Sequence, residues 1–352
     1  FISLVIISLG QLASNGSNNI FTLVSTIESH LQSYPCSTNI NYLWNMGFLL
    51  FLTIVFQIVS GILLSLHYTS DINYSYYSVI LIIREVYYGW YLHYIHSSGV
   101  SIIFGSMYFH IGRGLYVSSY VYNRNLWLSG VVLFLFLMAI SFMGYILAWG
   151  QMSLWGGTVI TNLFSFVPCL IEWLCGGFYV SSSTLNRFFI FHIILPFISI
   201  GLVIIHFSYL HSVSSSNPLG YNSSNQVSFY PSNCLKDMFS VLILLGMGII
   251  FQLCLGIFSL SHPDNSLEVH SLVTPLHIVP EWYFLSFYGM LKSIPSKFLG
   301  FIILYTSILL CLLLGEVNNV STISKLTSSQ FNNGNLFITY FFLIIFFYHH
   351  IN

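Results

Sequence analysis

The stretch H-S-S-G-V-S-I-I-F-G-S-M-Y-F-H (His96–His110) begins and ends on histidine, and so does H-I-I-L-P-F-I-S-I-G-L-V-I-I-H (His192–His206). Both are otherwise apolar or small-residue runs, so each reads as a helix crossing a bilayer. Fourteen helical steps of about 100° bring the second histidine back to within roughly 40° of the first, about 21 Å along the axis. Each helix therefore shows two imidazoles on one face, stacked along the membrane normal. An ionisable side chain at bilayer depth costs on the order of a few kcal/mol. One such histidine could be a separately satisfied core residue, but two pairs at one spacing argue for a shared ligand. With no carboxylate or thiolate beside them, paired imidazoles inside a bundle suit a haem iron better than zinc.

The rest of the chain has the same character. Its 352 residues include 8 Lys and Arg and 9 Asp and Glu, 5% charged, against about 25% in soluble domains. Hydrophobic residues reach 56%, aromatics 18%, and mean hydropathy is +0.82. So few charges cannot coat a soluble fold. A soluble globular protein, a disordered chain and a nucleic-acid binder (no basic patch faces phosphate) are all excluded. The expected fold class is all-α, a polytopic transmembrane helical bundle in a lipid bilayer. The six cysteines, Cys36, Cys169, Cys175, Cys234, Cys254 and Cys311, form no C-x-x-C pair and no metal-ligand cluster. Cys254 and Cys311 sit in apolar runs as small buried hydrophobes. The apolar run Phe1–Leu9 is short and lacks a basic flank, so it does not read as a signal peptide.

About seven spans are expected, at 43–67, 94–116, 127–149, 187–210, 238–260, 298–315 and 336–349. The first four form a di-haem bundle over 1–215. The last three, over 216–352, carry a long structured loop at 261–297 containing Pro263, Pro275, Pro280 and Pro295. The Gly- and Trp-rich segment 153–178 is too broken to span, and 316–335 is polar and surface-exposed. Alternation places the loops after the first, third and fifth spans on side one, and the N-terminus with the other loops on side two. Side one carries Arg84, Arg187, Lys292 and Lys297, and side two Arg113, Arg124, Lys236 and Lys325, so cation bias gives no orientation. The second and fourth spans run parallel, which levels His96 with His192 near side one and His110 with His206 near side two. Gly47 and Gly61 in the first span, and Gly130 and Gly144 in the third, repeat the 14-residue spacing. Lacking Cβ, they offer clearance for two stacked macrocycles; close helix packing is the alternative.

The motifs W-N-M-G (Trp44–Gly47), H-x-G-R-G-L-Y (His110–Tyr116), G-Y-I-L-A-W-G-Q-M-S-L-W-G-G-T-V-I-T-N (Gly144–Asn162), R-F-F-x-F-H-x-x-L-P (Arg187–Pro196) and P-E-W-Y (Pro280–Tyr283) occur in this order. From about Tyr42 to Phe301 the chain resembles the cytochrome b family, the di-haem subunits of the cytochrome bc complex (respiratory complex III), mitochondrial type with a shortened C-terminus. The resemblance implies that His96 and His192 bind the low-potential b-type haem and His110 and His206 the high-potential one. It also implies that Arg113 and Trp127 contact haem propionates; an interfacial anchor and an aromatic-belt residue are the alternatives. Glu281 looks like the proton acceptor of a quinol-oxidation site, with Tyr288, Tyr145, Phe142, Pro280 and Gly157 lining its pocket. A helix-capping carboxylate and a tight-turn glycine are the alternative readings of Glu281 and Gly157. His211, Ser215, Lys236 and Asp237 match a quinone-reduction site on side two; alone, Lys236 and Asp237 read as a solvated helix terminus.

The implied activity is that of a quinol–cytochrome-c reductase subunit in the mitochondrial inner membrane, inactive alone. It would oxidise ubiquinol at one face, reduce ubiquinone at the other and translocate protons. The implied partners are a Rieske iron–sulfur protein, a c-type cytochrome subunit, other complex III subunits and a second copy of the chain in a homodimeric complex. Departures from the family pattern are His93 in place of an arginine near the low-potential haem, Ala148 in place of a proline, Lys292 in place of an arginine, and the absence of an expected eighth span. Two rival readings are a di-haem membrane anchor of another quinone-linked oxidoreductase, which has no need of P-E-W-Y and W-G-G-T, and a haem-free channel whose histidines relay protons.

Overall fold

The computed structural model describes residue 25 and residues 28–218, 224–255 and 262–314. The expected span at 336–349, the end of that at 238–260, the polar segment 316–335 and the run Phe1–Leu9 lie outside these residues. Among the described residues the fold is mostly helical, with eleven α-helices. They are α1 (Met46–Ser65), α2 (Ser75–Glu85), α3 (Gly89–Tyr116), α4 (Ser119–Tyr122), α5 (Arg124–Leu147) and α6 (Gln151–Asn162). There follow α7 (Pro168–Cys175), α8 (Ser182–Val213), α9 (Cys234–Leu255), α10 (Leu285–Lys292) and α11 (Lys297–Leu313).

Polar caps set the starts. Asn123 accepts from the Leu126 N–H at α5, Ser181 and Thr184 form a capping box at α8, and Ser296 accepts from Leu299 N–H at α11. These side chains satisfy first-turn N–H groups that an apolar run alone leaves open, which is why α8 begins five residues before the apolar run at 187. Three helices, counting a lead-in turn from Tyr42 on α1, are long and apolar enough to cross a membrane: Tyr42–Ser65, Arg124–Leu147 and Ser182–Val213. The span expected at 94–116 is a 28-residue helix, α3, but a more polar one, because its buried faces carry His93, His96, Ser98, Ser106 and His110. A helix enclosed by others can hold such residues where a lipid-facing one cannot.

The closest packing joins α5 to α8 and α1 to α3. Leu50 and Ile54 of α1, Ile103 and Met107 of α3 and Leu137 of α5 form one buried cluster. A second joins Met143, Ile146 and Leu147 of α5 to Cys175, Leu185 and Phe188. The chain turns sharply after α5 at Trp149, whose φ of 50° lies in the left-handed region, with Ala148 as the last helix-like residue. The bend therefore forms without the proline that the family pattern led us to expect.

The broken segment 153–178 folds as α6 and α7, and the loop 262–297 contains tight turns and α10. That loop is pinned from several directions. Ser153 N–H and Oγ–H donate to Asn265 Oδ1, Gln151 Oε1 accepts from His270 N–H, and Tyr76 of α2 donates to Ser266 C=O at 2.5 Å. A Cβ at Gly150 would run into the backbone of Asn265. Gly150→Val is therefore expected to detach the loop, read as faster limited proteolysis within 262–279 than in the parent chain. On the other face, Pro35–Ser37 (β1) pairs antiparallel with Gln226–Ser228 (β2), Cys36 opposite Val227.

Candidate functional site

The two histidine pairs meet as topology requires. His96 and His192 rings lie 6.2 Å apart between centroids with an interplanar angle of 86°, and His110 and His206 lie 6.5 Å apart at 58°. Two imidazoles on one metal ion put their centroids about 6 Å apart, given a metal–nitrogen bond of ~2 Å on each side. Both separations match that spacing.

Hydrogen bonding decides which nitrogen is available. The Ser60 hydroxyl donates to Phe56 C=O, so its oxygen accepts from His96 Nδ1–H at 2.9 Å. Ser129 likewise donates to Leu126 C=O and accepts from His206 Nδ1–H at 2.8 Å. His192 Nδ1–H donates to the Ile140 carbonyl at 2.8 Å. Each of these rings is thus held in the tautomer whose bare nitrogen is Nε2, the arrangement that outer partners impose on metal-ligating histidines. His110 differs. Its Nδ1 faces Arg113 Nη2 at 3.3 Å, which can only donate, so ligation through Nε2 requires Arg113 to turn to another acceptor.

An anion would be such an acceptor. Arg113 Nε and Trp44 Nε1 are both buried without a hydrogen-bond partner, and the guanidinium lies 4.9 Å over the Trp44 ring. Two unpartnered donors beside His110 suit a carboxylate such as a haem propionate. Trp127 does not join them, because its indole N–H donates to Cys311 C=O at 2.7 Å and ties α5 to α11. Trp44 was noted in the sequence only as part of W-N-M-G. On side one, His93 Nδ1 is also buried and unpartnered.

The glycines face the histidines. A Cβ at Gly61, Gly47, Gly130 or Gly144 would lie 3.0 Å from His96, 3.3 Å from His110, 3.2 Å from His206 and 2.5 Å from His192, each measured to Cε1. What they clear first is the imidazole of the neighbouring helix.

The P-E-W-Y segment sits against α3. Tyr108 donates to Tyr283 C=O at 2.5 Å, Trp282 Nε1–H donates to Ser101 Oγ, and Tyr283 stacks on Phe104 at 4.4 Å and 2°. These anchors were not visible in the sequence. Burial pushes the Glu281 carboxyl up to about 7, because a charge loses hydration there. Its side chain does not cap the turn that follows it. Tyr145 is close enough to feel the charge of Glu281, and its hydroxyl is buried without a partner. Tyr288 and Lys292 of α10, Val159 of α6 and residues 274–279 line a cleft of about 310 Å³, a size suited to a small-molecule site. Pro280 follows directly on that lining. Phe142 packs against Phe188. Gly157 lies inside α6 rather than in a turn, and a Cβ there would press on Ile146 at 3.1 Å.

On side two, His211 is stacked by Tyr34 at 4.1 Å, and its Nδ1 lies 2.8 Å from Nδ1 of His30. Ser215 is half-buried just beyond α8. Lys236 donates to Ile40 C=O at 3.3 Å, and Asp237 is buried in the first turn of α9, beside Cys36 and Cys234. These are fixed positions rather than a solvated helix end. Sequence reasoning missed His30 and Tyr34.

A family model described as cytochrome b/b6/petB matches residues 31–214, and one described as cytochrome b (C-terminal)/b6/petD matches 268–351. The chain belongs to the cytochrome b family. Cytochrome b of Plasmodium chabaudi is 47% identical over 306 residues, covering 86% of this chain and 80% of that one. Cytochrome b of Toxoplasma gondii is 45% identical over 306 residues, covering 87% and 83%, and that of Cyanidium caldarium is 47% identical over 310 residues, covering 86% and 80%. Among solved structures, a chain of a hyperthermophilic respiratory complex III superposes with a TM-score of 0.80 at 27% identity, covering 92% of this cytochrome b and 94% of that chain. This cytochrome b is therefore an electron-transport membrane protein related to respiratory complex III.

Proposed function

We propose that this cytochrome b is the di-haem electron-transfer subunit of a quinol:cytochrome c oxidoreductase of the mitochondrial inner membrane. Ubiquinol is oxidised at the Glu281 face, ubiquinone is reduced at the His211 face, and protons are moved across the membrane between them. The observation that carries this reading is the pair of imidazole couples at 6.2 Å and 6.5 Å. They lie at the two levels of one bundle, with three of four Nδ1–H groups already committed. The low-potential haem is assigned to His96 and His192 and the high-potential haem to His110 and His206. The haems supply one-electron carriers between the two faces.

The chain's own residues do the rest. Ser60, Ser129 and the Ile140 carbonyl hold the ligand tautomers, and Arg113 with Trp44 receives a carboxylate. Glu281 accepts a proton from quinol at its carboxylate oxygen. The Tyr145 hydroxyl is a second polar group near that carboxylate, and the cleft at Tyr288 would receive the ring. At the other face His211 holds a proton for the reduced quinone, and Asp237, Lys236 and Ser215 are assigned to the same site. The partners this reading requires are a Rieske iron–sulfur protein, a c-type cytochrome subunit, the remaining complex III subunits and a second copy of the chain. Residues 1–215 form the haem-binding part and 216–352 the part carrying the quinol-site loop.

A reduced-minus-oxidised visible spectrum with a haem assay on the purified complex tests this. Two b-type haems per chain are expected. One haem or none would overturn the assignment, and two haems with no quinol:cytochrome c turnover would favour a di-haem anchor.

A further inference from the structure

Outside the haem pairs, His30 and His211 join two distant parts of the chain through their acid–base atoms. His30 lies in a short helical turn at Glu28–Gln32, and His211 lies in the last turn of α8. Their Nδ1 atoms are 2.8 Å apart, and the ring planes lie within 17° of each other with centroids 5.1 Å apart, the spacing of two imidazoles meeting edge to edge. Tyr34 covers His211 at 4.1 Å and Phe207 closes on it at 4.0 Å, so the ring cannot turn freely. His30 is exposed and His211 half-buried. The other titratable group on the His30 turn is Glu28, whose side chain is exposed. Tyr34 is the titratable group that faces His211 from the same segment.

A contact between two Nδ1 atoms at this distance needs one proton between them: one nitrogen donates and the other accepts. The Nε2 atoms are then the outer ends of a continuous path. We propose that His30 is the outer half of a two-imidazole proton relay that feeds the quinone site at His211. This rests on the reading of His211 as a quinone-site residue. In the starting tautomer His30 Nδ1–H donates to His211 Nδ1, and His211 Nε2 carries a proton. His211 Nε2–H gives that proton to the oxygen of the reduced quinone, and the bridging proton shifts from His30 Nδ1 to His211 Nδ1. His30 Nε2 takes a proton from water. Each bond to hydrogen that breaks is matched by one that forms, both imidazoles stay neutral, and the net event is one proton moved from solvent to quinone. Tautomer exchange through water restores the pair before the next turnover. His30 touches no quinone and acts through His211.

The test uses the intact complex with the other quinone site disabled by Glu281→Gln, following electron exchange between the quinone pool and the His110/His206 haem by its visible band. His30→Ala is expected to slow this step about ten-fold or more, as loss of a proton-transfer partner does, with the haem spectrum unchanged. His30→Gln can keep the hydrogen bond to His211 but cannot pass a proton, so it should be equally slow. Added imidazole should restore the rate of the Ala variant. A wild-type rate in either variant overturns the relay. If His211→Ala also runs at the wild-type rate, the failure belongs to the quinone-site reading instead.

Discussion

Gly144→Val is expected to empty the His96/His192 centre while leaving the His110/His206 centre loaded. The ideal Cβ at Gly144 falls 2.5 Å from Cε1, 3.0 Å from Nε2 and 3.1 Å from Nδ1 of His192. No real Cβ sits that close, so the ring must move. It cannot move cheaply, because Nδ1–H is bonded to the Ile140 carbonyl at 2.8 Å on α5, the helix that carries Gly144. Any shift of the ring away from α5 breaks that bond and turns Nε2 from His96. Overpacking of this kind costs about 1–3 kcal/mol, and loss of one of the two histidines that would hold the iron adds to it. Gly47 is the internal contrast, since its Cβ would meet His110 Cε1 at 3.3 Å, which a shift of a few tenths of an ångström relieves. Gly47→Ala should keep both haems. Haem-to-protein ratios and the visible spectrum of the two complexes distinguish these outcomes. A Gly144→Val complex with two haems would show that the glycine does not govern the seat of His192.

The same pair shows what a sequence can and cannot carry. The histidine and glycine repeats were legible because a helix converts a spacing of 14 into a shared face, and four crossings bring those faces together. No further information is needed to place His96 opposite His192. Helix α2 was not legible: its apolar run Val79–Ile83 is only five residues long, and its buried positions, Ser75, Ser78 and Ile82, form a mixed polar and apolar stripe. Trp44 and Trp127 could not be ranked either. Which indole N–H is left unpartnered depends on the Cys311 carbonyl, 184 residues from Trp127, and only tertiary packing brings that carbonyl there. The contact of Tyr108 with Tyr283 spans 175 residues and is equally non-local. His30 stood alone in a polar segment, with nothing periodic to mark it, until the chain at His30 and Tyr34 packed on His211 at the end of α8.

Glu281→Gln should lower quinol oxidation by on the order of a hundred-fold or more, the usual worth of a positioned general base, and should do so without loss of either haem. The carboxyl is pushed up to about 7 by burial, so in the parent complex the proton-accepting carboxylate becomes populated as pH rises through that value. Quinol oxidation is therefore expected to climb across roughly pH 6–8 and then level, because a group titrates over about one unit either side of its pKa. In the glutamine variant this rise should vanish along with the rate. Stability moves the opposite way. Raising the folded-state value above that of the unfolded chain means the protonated form fits the folded site better. Its contribution to stability is complete at low pH and is lost as pH rises through 7. Glutamine is neutral at every pH and nearly the same shape, so the variant should be no less resistant to unfolding at pH 8 than the parent. A slow variant that also melts earlier at alkaline pH would point to a structural carboxylate. A slow variant of equal or greater alkaline stability, with a flat rate profile between pH 6 and 8, assigns the proton acceptor to Glu281. Tyr145, whose hydroxyl is buried without a partner, gives a graded control: Tyr145→Phe removes that hydroxyl but leaves the carboxylate, so the rise with pH should survive on a lower rate.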